Sequence, residues 1–504
     1  MTRHLTAHPH RSGMVLTGAI ALTLAAGWAA HHGIQAARYG TDTGSRLAAV
    51  WSVTFLLLLT QTLMYHLERT RRPSPRARRQ LDALHVAVLI PVYNEDPGYL
   101  RLGLQSMLAQ TRRPDSVHVV DDGSTSGDYA AVRAWWIRAA ATAGIATTWQ
   151  RTANAGKRHA QAAAVRVSPD ADVYITVDSD SCLDPNALEE ILLPLARARV
   201  QSVAGIVLAT NHRTNLLTRI TDLWFVTGQL TDRSALSAMG SVLVNSGPLA
   251  AYRAPVVRDN LDSYLNERFM GRPVMFSDDS LLTLYALLRG RTVQQPSAVV
   301  FTALPEKTSH FLRMYLRWMR GSTIRSLWRM RYLPVTGWAY WAHLLRWFQV
   351  ALSTAVLGWL LVVEPAVYGR TPPASFLIVP FLIGWAQALR YLGIIRSDER
   401  IRARLVTWLL MPLAVVGSWT VLRAMRWYGM ATCARTGWGT RQNGAEVALD
   451  ARTPEDTAVP LPDDDTVRMR IPVAKLLDPD TETTLTLPIP HQRTAAPLHK
   501  GTRR

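Results

Sequence analysis

The chain has 504 residues, 48% of them hydrophobic, with a formal charge of +19 and a mean hydropathy of +0.03. Two cysteines, Cys182 and Cys433, exclude a disulfide scaffold and a cysteine-rich zinc module, and the composition excludes collagen-like, coiled-coil and wholly disordered classes. Lysine occurs only at Lys157, Lys307, Lys475 and Lys500, so the positive charge is nearly all arginine, and its position beside apolar runs points to a membrane rather than to nucleic acid.

Apolar runs at about 14–30 and 47–65 each approach the ~20 residues that a helix needs to cross a bilayer. The first is long for a signal-peptide core, precedes a poor cleavage site, and has the second close behind it. The pair therefore reads as an uncleaved helical hairpin, residues 1–67. Six arginines between Arg69 and Arg79 then place the downstream region in the cytoplasm by the positive-inside rule.

From about residue 84 to 333 the pattern becomes α/β. Runs rich in β-formers at 85–93, 116–121, 172–178 and 201–209 end in polar clusters, with helical stretches such as 98–110 and 186–197 between them. That alternation predicts a mostly parallel sheet covered on both faces, with ligands at the carboxyl ends of its strands. Apolar runs return at about 347–363, 375–395 and 405–422. Three crossings from the cytoplasm would leave the C-terminus outside, yet Arg423, Arg426 and residues 436–441 look cytoplasmic by charge. Either a further segment crosses or one of these runs lies in the interface. Residues 442–504, rich in Pro, Thr, Asp and Arg and without periodicity, are predicted to be disordered.

Polar residues at the strand ends carry the chemistry. Tyr93 and Glu95 come after the first strand, and Asp121, Asp122 and Gly123 after the second. Carboxylates there accept hydrogen bonds from a ribose or a base, and Tyr93 can stack on it. The same residue types also mark ordinary loops. Lys157 stands next to Gly156 as a phosphate or base contact, without the spacing of a P-loop. The run 172–181 delivers Asp178 and Asp180 two residues apart. On a strand these share one side and can converge on a hard cation together with substrate phosphates; the bland alternative is a solvated loop end. Asp278 and Asp279 stand at a helix start, where Ser277 as N-cap and the helix dipole would suffice to explain them. The functional alternative makes one of them a general base. Arg313, Arg317 and Arg320 form one basic face of a helix rich in large apolar residues, either an interfacial amphipathic helix or, beside a diphosphate, a clamp on a leaving group.

In this order the motifs VYNED, DDGS, GK, DSD, SGPLAAYR (246–253), SDDS, LRW and WGTR (438–441) resemble those of the membrane-embedded family 2 processive glycosyltransferases. The likeness is to bacterial hyaluronan synthases and the related chitin and chito-oligosaccharide synthases, over roughly residues 45–441. It implies an α/β GT-A, Rossmann-like nucleotide-diphospho-sugar transferase domain at 68–333 combined with α-helical transmembrane segments. An interfacial helix would span 310–330, and further transmembrane helices 334–441. It also implies a multi-pass cell-membrane enzyme with its catalytic domain in the cytoplasm. Its partners would be a UDP-sugar donor, a growing polysaccharide acceptor and the lipid bilayer, with no nucleic acid.

Carried over by position, the resemblance sets Tyr93, Glu95, Asp122 and Lys157 around the UDP, and Asp178 and Asp180 on Mg²⁺ or Mn²⁺. Ser246, Gly247 and Pro248 would shape the acceptor side. Asp278 would contact substrate, Asp279 would be the general base, Arg317 would contact the pyrophosphate, and Trp318 would stack on the acceptor sugar. Two positions depart from the family pattern: Met314 stands where Gln-x-x-Arg-Trp has its glutamine, and Gly-Asp-Asp-Arg reads Ser277-Asp278-Asp279-Ser280. The expected product is a β-linked polysaccharide made from UDP-GlcNAc and UDP-GlcA. The alternatives are a chitin-, poly-GlcNAc- or cellulose-like homopolymer, a non-processive lipid-linked transferase, and a catalytically silent scaffold.

Overall fold

The computed structural model describes residues 5–9, 13–36, 57, 60–369, 374–437 and 447. Most of the apolar run at 47–65, the WGTR segment and, apart from residue 447, the tail 442–504 lie outside the described residues. The strands along the chain are β1 (Ala7–Pro9), β2 (Val86–Val92), β3 (Ser116–Asp121), β4 (Ala146–Arg151), β5 (Val173–Thr176), β6 (Cys182–Leu183), β7 (Val200–Ala209), β8 (Ala250–Arg253), β9 (Arg268–Phe269), β10 (Arg272–Pro273), β11 (Arg291–Thr302) and β12 (Ile394–Arg396). Eight of them form one sheet in the order β4-β3-β2-β5-β8-β7-β11-β6, while β1 pairs with β12 and β9 with β10.

The central strand β2 is buried along its whole length. Val86, Val88, Ile90 and Val92 pack into a core with Leu100, Leu104, Val132 and Trp136, whereas Ala87 and Leu89 pack with Ala160, Ala164, Leu281 and Leu284. Helices Pro97–Leu108 and Ala130–Ala143 thus cover one face, and Lys157–Arg166 and Asp278–Arg289 the other. Cover on both faces is why β2 reads as an unbroken apolar run.

The expected mostly parallel sheet is present: β4, β3, β2, β5, β7 and β11 run one way. Between β5 and β7, however, lies β8, antiparallel to both, with Ala250 opposite Thr176. This insertion brings Ser246, Gly247 and Pro248, which precede β8, to the end of the sheet where β5 delivers Asp178.

Helix Gly13–Ala36 packs along helix Ala374–Leu392, with Gly18 against the Leu389 side chain. The stretches Trp338–Tyr368 and Ile401–Ala431 are long and apolar enough to cross a membrane, and Gly13–Ala29 and Ile378–Leu392 are shorter apolar helices. The stretch Ile401–Ala431 is divided into three helices at Leu410 and Thr420. Both of its flanks attach to the α/β domain. Before it, Arg396 donates to the Ala209 carbonyl at 2.6 Å and pairs with Asp222 at 3.3 Å. After it, Thr432 accepts from Arg320 at 3.1 Å, and the Thr436 carbonyl accepts from the Met275 amide at 3.1 Å.

Candidate active site

The residues that the resemblance assigns to donor, metal, acceptor and base all line one cavity of about 980 Å³, whereas Arg313 and Arg320, expected on the same basic helix face as Arg317, do not line it. Glu95 is buried at the end of β2, and its Oε2 accepts from Ser179 Oγ at 2.6 Å, which ties the first strand end to the turn carrying Asp178 and Asp180. Asp122 accepts from the amides of Ala155 and Gly156 at 2.9 and 2.8 Å, so its carboxylate moors the loop that presents Lys157. Burial pushes Asp122 upward in pKa, against those two amides. Tyr93 lies half-buried in the wall.

Lys157 is the electrostatic centre. Its Nζ lies 2.6 Å from Asp178 Oδ1 and 3.2 Å from Asp278 Oδ2. Burial would lower its pKa, but the two carboxylates outweigh burial and hold it well above the ordinary lysine range. Gly247 fits against this pair: a Cβ there would lie 3.1 Å from Asp178 Oδ2 and 3.3 Å from Lys157 Nζ. The strand geometry expected for Asp178 and Asp180 is corrected. β5 ends at Thr176, and the aspartates lie in a turn closed by the Ser181 amide on the Asp178 carbonyl at 3.0 Å. Asp180 Oδ1 accepts from Thr302 Oγ1 at 3.0 Å at the end of β11.

The second acid pair starts helix Asp278–Arg289. The capping role expected of Ser277 is also corrected. Ser277 is in the left-handed region at φ 60° and makes no side-chain cap, so it does not account for the acids. The two carboxyls are driven apart. Burial raises Asp278, but Lys157 and Arg158 outweigh it and hold it below the usual range. Burial and then the neighbouring Asp278 charge push Asp279 up to about 7. A carboxyl poised there takes a proton at neutral pH, the property a general base needs. Asp279 Oδ1 accepts from the Ser280 amide at 2.6 Å.

The helix expected at 310–330 spans Thr308–Tyr332. It brings Arg317 and Trp318 to the cavity, the latter packed on Phe225 with ring centroids 5.2 Å apart. On the acceptor side Ser246 Oγ accepts from Arg233, which also donates to the Gly205 carbonyl at 2.6 Å.

The sequence reading missed Arg233, and it missed the hub on which the acid turn rests. Glu267 receives Arg325 on both oxygens at 2.7 and 3.2 Å, Arg158 at 2.7 Å and Trp328 Nε1 at 2.7 Å. Burial alone would raise this carboxylate, but the two guanidiniums hold it below the usual range. No spacing signal joins residues 158, 267 and 325.

The carboxylates of Asp178 and Asp180 are hard oxygen donors, the set that suits Mg²⁺ or Mn²⁺. Among the described residues no group of three or more His, Cys, Asp or Glu side chains converges. A cation held here would therefore complete its shell with substrate phosphate and water oxygens, as such ions commonly do.

Comparison with known proteins identifies relatives of this chain. The family model described as "Glycosyl transferase family 2" matches residues 87–261. A hyaluronan synthase of Streptococcus pyogenes serotype M1 is 35% identical over 364 residues, covering 71% of this chain and 83% of that protein. An N-acetylglucosaminyltransferase of Mesorhizobium japonicum is 31% identical over 378 residues, covering 72% of this chain and 83% of that protein. Among solved structures, a mannosyltransferase from Pyrobaculum calidifontis in complex with GDP-Man and Mn²⁺ is 20% identical, with a TM-score of 0.48, covering 83% of this chain and 98% of that one.

Proposed function

The chain belongs to the family 2 glycosyltransferases, with the hyaluronan synthases among its relatives, and on that premise we propose that it joins GlcNAc and GlcA from their UDP-sugars into a β-linked polymer and exports it. Its curled mixed sheet is the GT-A fold of such enzymes, and its activity is that of a hyaluronan synthase-like UDP-sugar glycosyltransferase.

One observation carries the proposal: the cavity at the strand ends continues past Asp279 and Trp318 to Gln349, Ser353, Trp419 and Arg423 on the apolar helices. A passage lined by both aromatic and polar side chains between apolar helices suits a sugar chain in transit. Arg346, Arg423 and Arg426 also line it. In a low-dielectric surround their charge favours a polymer bearing carboxylates over a neutral homopolymer. A non-processive transferase has no use for such a lumen.

In the proposed arrangement the helical hairpin of residues 1–67 and the helices Trp338–Tyr368 and Ala374–Leu392 cross the cell membrane, with the α/β domain in the cytoplasm. The stretch Ile401–Ala431 does not cross, since both of its flanks are tied to that domain. Crossings are then even in number, which removes the conflict between three spans and a cytoplasmic-looking end.

Asp178 and Asp180 would hold Mg²⁺ or Mn²⁺ on the donor diphosphate, where such an ion neutralises charge that develops on the leaving UDP. Tyr93, Glu95 and Asp122 shape the nucleotide end, and Lys157 and Arg317 supply positive charge to the diphosphate. Ser246, Gly247, Pro248 and Trp318 orient the acceptor sugar, with Asp278 beside it. Asp279 takes the proton of the acceptor hydroxyl. The hydroxyl oxygen bonds to the anomeric carbon from the face opposite the leaving group. The bond from that carbon to the diphosphate breaks, and its electron pair leaves with UDP. The configuration inverts. General-base help of this kind contributes about 10²–10⁴-fold.

The test is UDP release by the full chain in lipid, with UDP-GlcNAc and UDP-GlcA supplied singly and together, and Asp279→Asn as control. Turnover that needs both sugars and gives a hyaluronidase-sensitive product is the expected result. Full turnover on UDP-GlcNAc alone would replace it with a homopolymer synthase, and folded protein without any UDP release would overturn it.

A further inference from the structure

The acid turn of this chain lacks an arginine after its two aspartates, since Ser280 stands there. A guanidinium nevertheless reaches that position from another element. Arg325, on helix Thr308–Tyr332, is fully buried and places its Nε 3.2 Å from Ser280 Oγ and its Nη2 3.4 Å from the Ser277 carbonyl. These contacts fall on either side of Asp278 and Asp279. The Ser280 amide in turn holds Asp279 Oδ1 at 2.6 Å. A chain of three groups therefore runs from Arg325 to the carboxylate assigned as base.

Neutralising Glu267 does not by itself account for Arg325. Glu267 already has Arg158 and Trp328 Nε1, each at 2.7 Å. A second buried guanidinium is costly to desolvate and is retained only where its donors are well used. Here its fork grips Glu267 while its remaining donors reach the acid turn. Arg158 adds a further tie, donating to the Phe276 carbonyl at 2.7 Å one residue before Ser277. The turn needs such support, because Ser277 holds a left-handed backbone that a residue with a Cβ adopts at a cost. Arg325 also lies about two helical turns beyond Arg317 and Trp318. The same side chain thus fixes the distance from the acceptor-binding face to the base.

We propose that Arg325 is a positioning residue for sugar transfer, supplying from the neighbouring helix the guanidinium that the Ser-Asp-Asp-Ser turn lacks in sequence and holding Asp279 against the acceptor. The inference rests on the assignment of Asp279 as base, and loss of UDP release in folded Asp279→Asn checks that assignment separately. Three variants of the full chain in lipid test it: Arg325→Lys, Arg325→Ser, and the exchange Arg325→Ser with Ser280→Arg. For each, kcat, KM for the UDP-sugars and the unfolding temperature are measured.

Arg325→Lys keeps the charge and loses the fork. Its kcat is expected to fall on the order of 10²-fold, the scale of a misplacement near 1 Å, with KM for the donor within about twofold of wild type. Arg325→Ser is expected to lose both kcat and thermal stability, and the exchange to restore most of each, because the guanidinium returns between Glu267 and the turn. Wild-type kcat in Arg325→Lys would overturn the proposal. So would an exchange variant no better than Arg325→Ser. If Arg325→Ser does not fold, a folded and active exchange variant supports the proposal, and one that also fails to fold overturns it.

Discussion

Gly321 lies against Ser277 so closely that a Cβ on Gly321 would overlap the serine Oγ. The helix bearing Arg317 and Trp318 and the turn bearing Asp278 and Asp279 therefore touch with no space for a methyl group. Within a helix, Gly→Ala ordinarily stabilises by about 1 kcal/mol. Here overpacking, at about 1–3 kcal/mol, opposes that gain. Gly321→Ala is expected to be destabilised in urea despite its better helix propensity, and to lose kcat on the order of 10²-fold as the acid turn is displaced. An alanine variant more stable than wild type and fully active would show that the contact relaxes freely.

As the proposed base, Asp279 would act only when ionised. With its pKa pushed up to about 7, kcat should rise with pH through a midpoint near that value and level off above it. Stability runs the other way. The folded state keeps the proton between the ordinary 3.8 and about 7, so the stability this carboxyl contributes is complete below that window and lost as pH rises through it. Asp279→Asn should abolish the kinetic titration. It should also lose less stability than wild type between about pH 5 and about pH 8. Urea midpoints at the two pH values read the difference, and identical slopes would refute the shift.

Lys157 separates two carboxylates that would otherwise face each other across the cavity floor. Lys157→Met leaves Asp178 and Asp278 without their common cation. The cost should be on the order of 2 kcal/mol, between the surface and the fully buried cases, and KM for UDP-sugar should rise. Mn²⁺ should stabilise this variant more than wild type in thermal unfolding, because a cation on Asp178 replaces part of the lost charge. In the wild type, chelation should stop UDP release, and Mg²⁺ or Mn²⁺ should restore it. Release that persists through chelation would remove the metal from the reaction.

Most residues around the cavity were legible because they stand beside a strand end or a helix start, where a short run of polar residues interrupts an apolar pattern. Arg317 and Trp318, inside helix Thr308–Tyr332, were legible through the family motif instead. Lys157 stood out in a chain so poor in lysine. What binds those segments together was not legible. Glu267 meets Arg158 and Arg325 only in the fold, and none of the three sits at a periodic position. β11 was missed for a related reason. Gln294, Gln295 and Pro296 break its apolar pattern, and its register against β7 shifts between Gln294 and Val299. The two glutamines are nonetheless fully buried. Gln294 donates to Glu68, and Gln295 both accepts from and donates to the Arg71 backbone, so buried polar groups there hold the segment leading into the domain. β8 escaped notice because four residues carry too little pattern. Its reversed direction nevertheless decides where Ser246 and Gly247 stand.

The pairing of β1 with β12 sets an order of events during synthesis. Ala7 lies opposite Arg396, the Ser397 amide donates to the Thr6 carbonyl at 2.9 Å, and the Ala7 amide donates to Asp184 at 3.0 Å. Roughly 390 residues separate the paired strands, and at about 5–20 residues per second the ribosome takes about 20–80 s to make them. Throughout that interval the first strand has been made and its partner has not. The α/β domain can collapse in the meantime around β2, but the seam that closes the N-terminal segment against it waits for the loop before the last helices. A nascent chain stalled before residue 394 can hold β1 through Asp184 but lacks its partner strand.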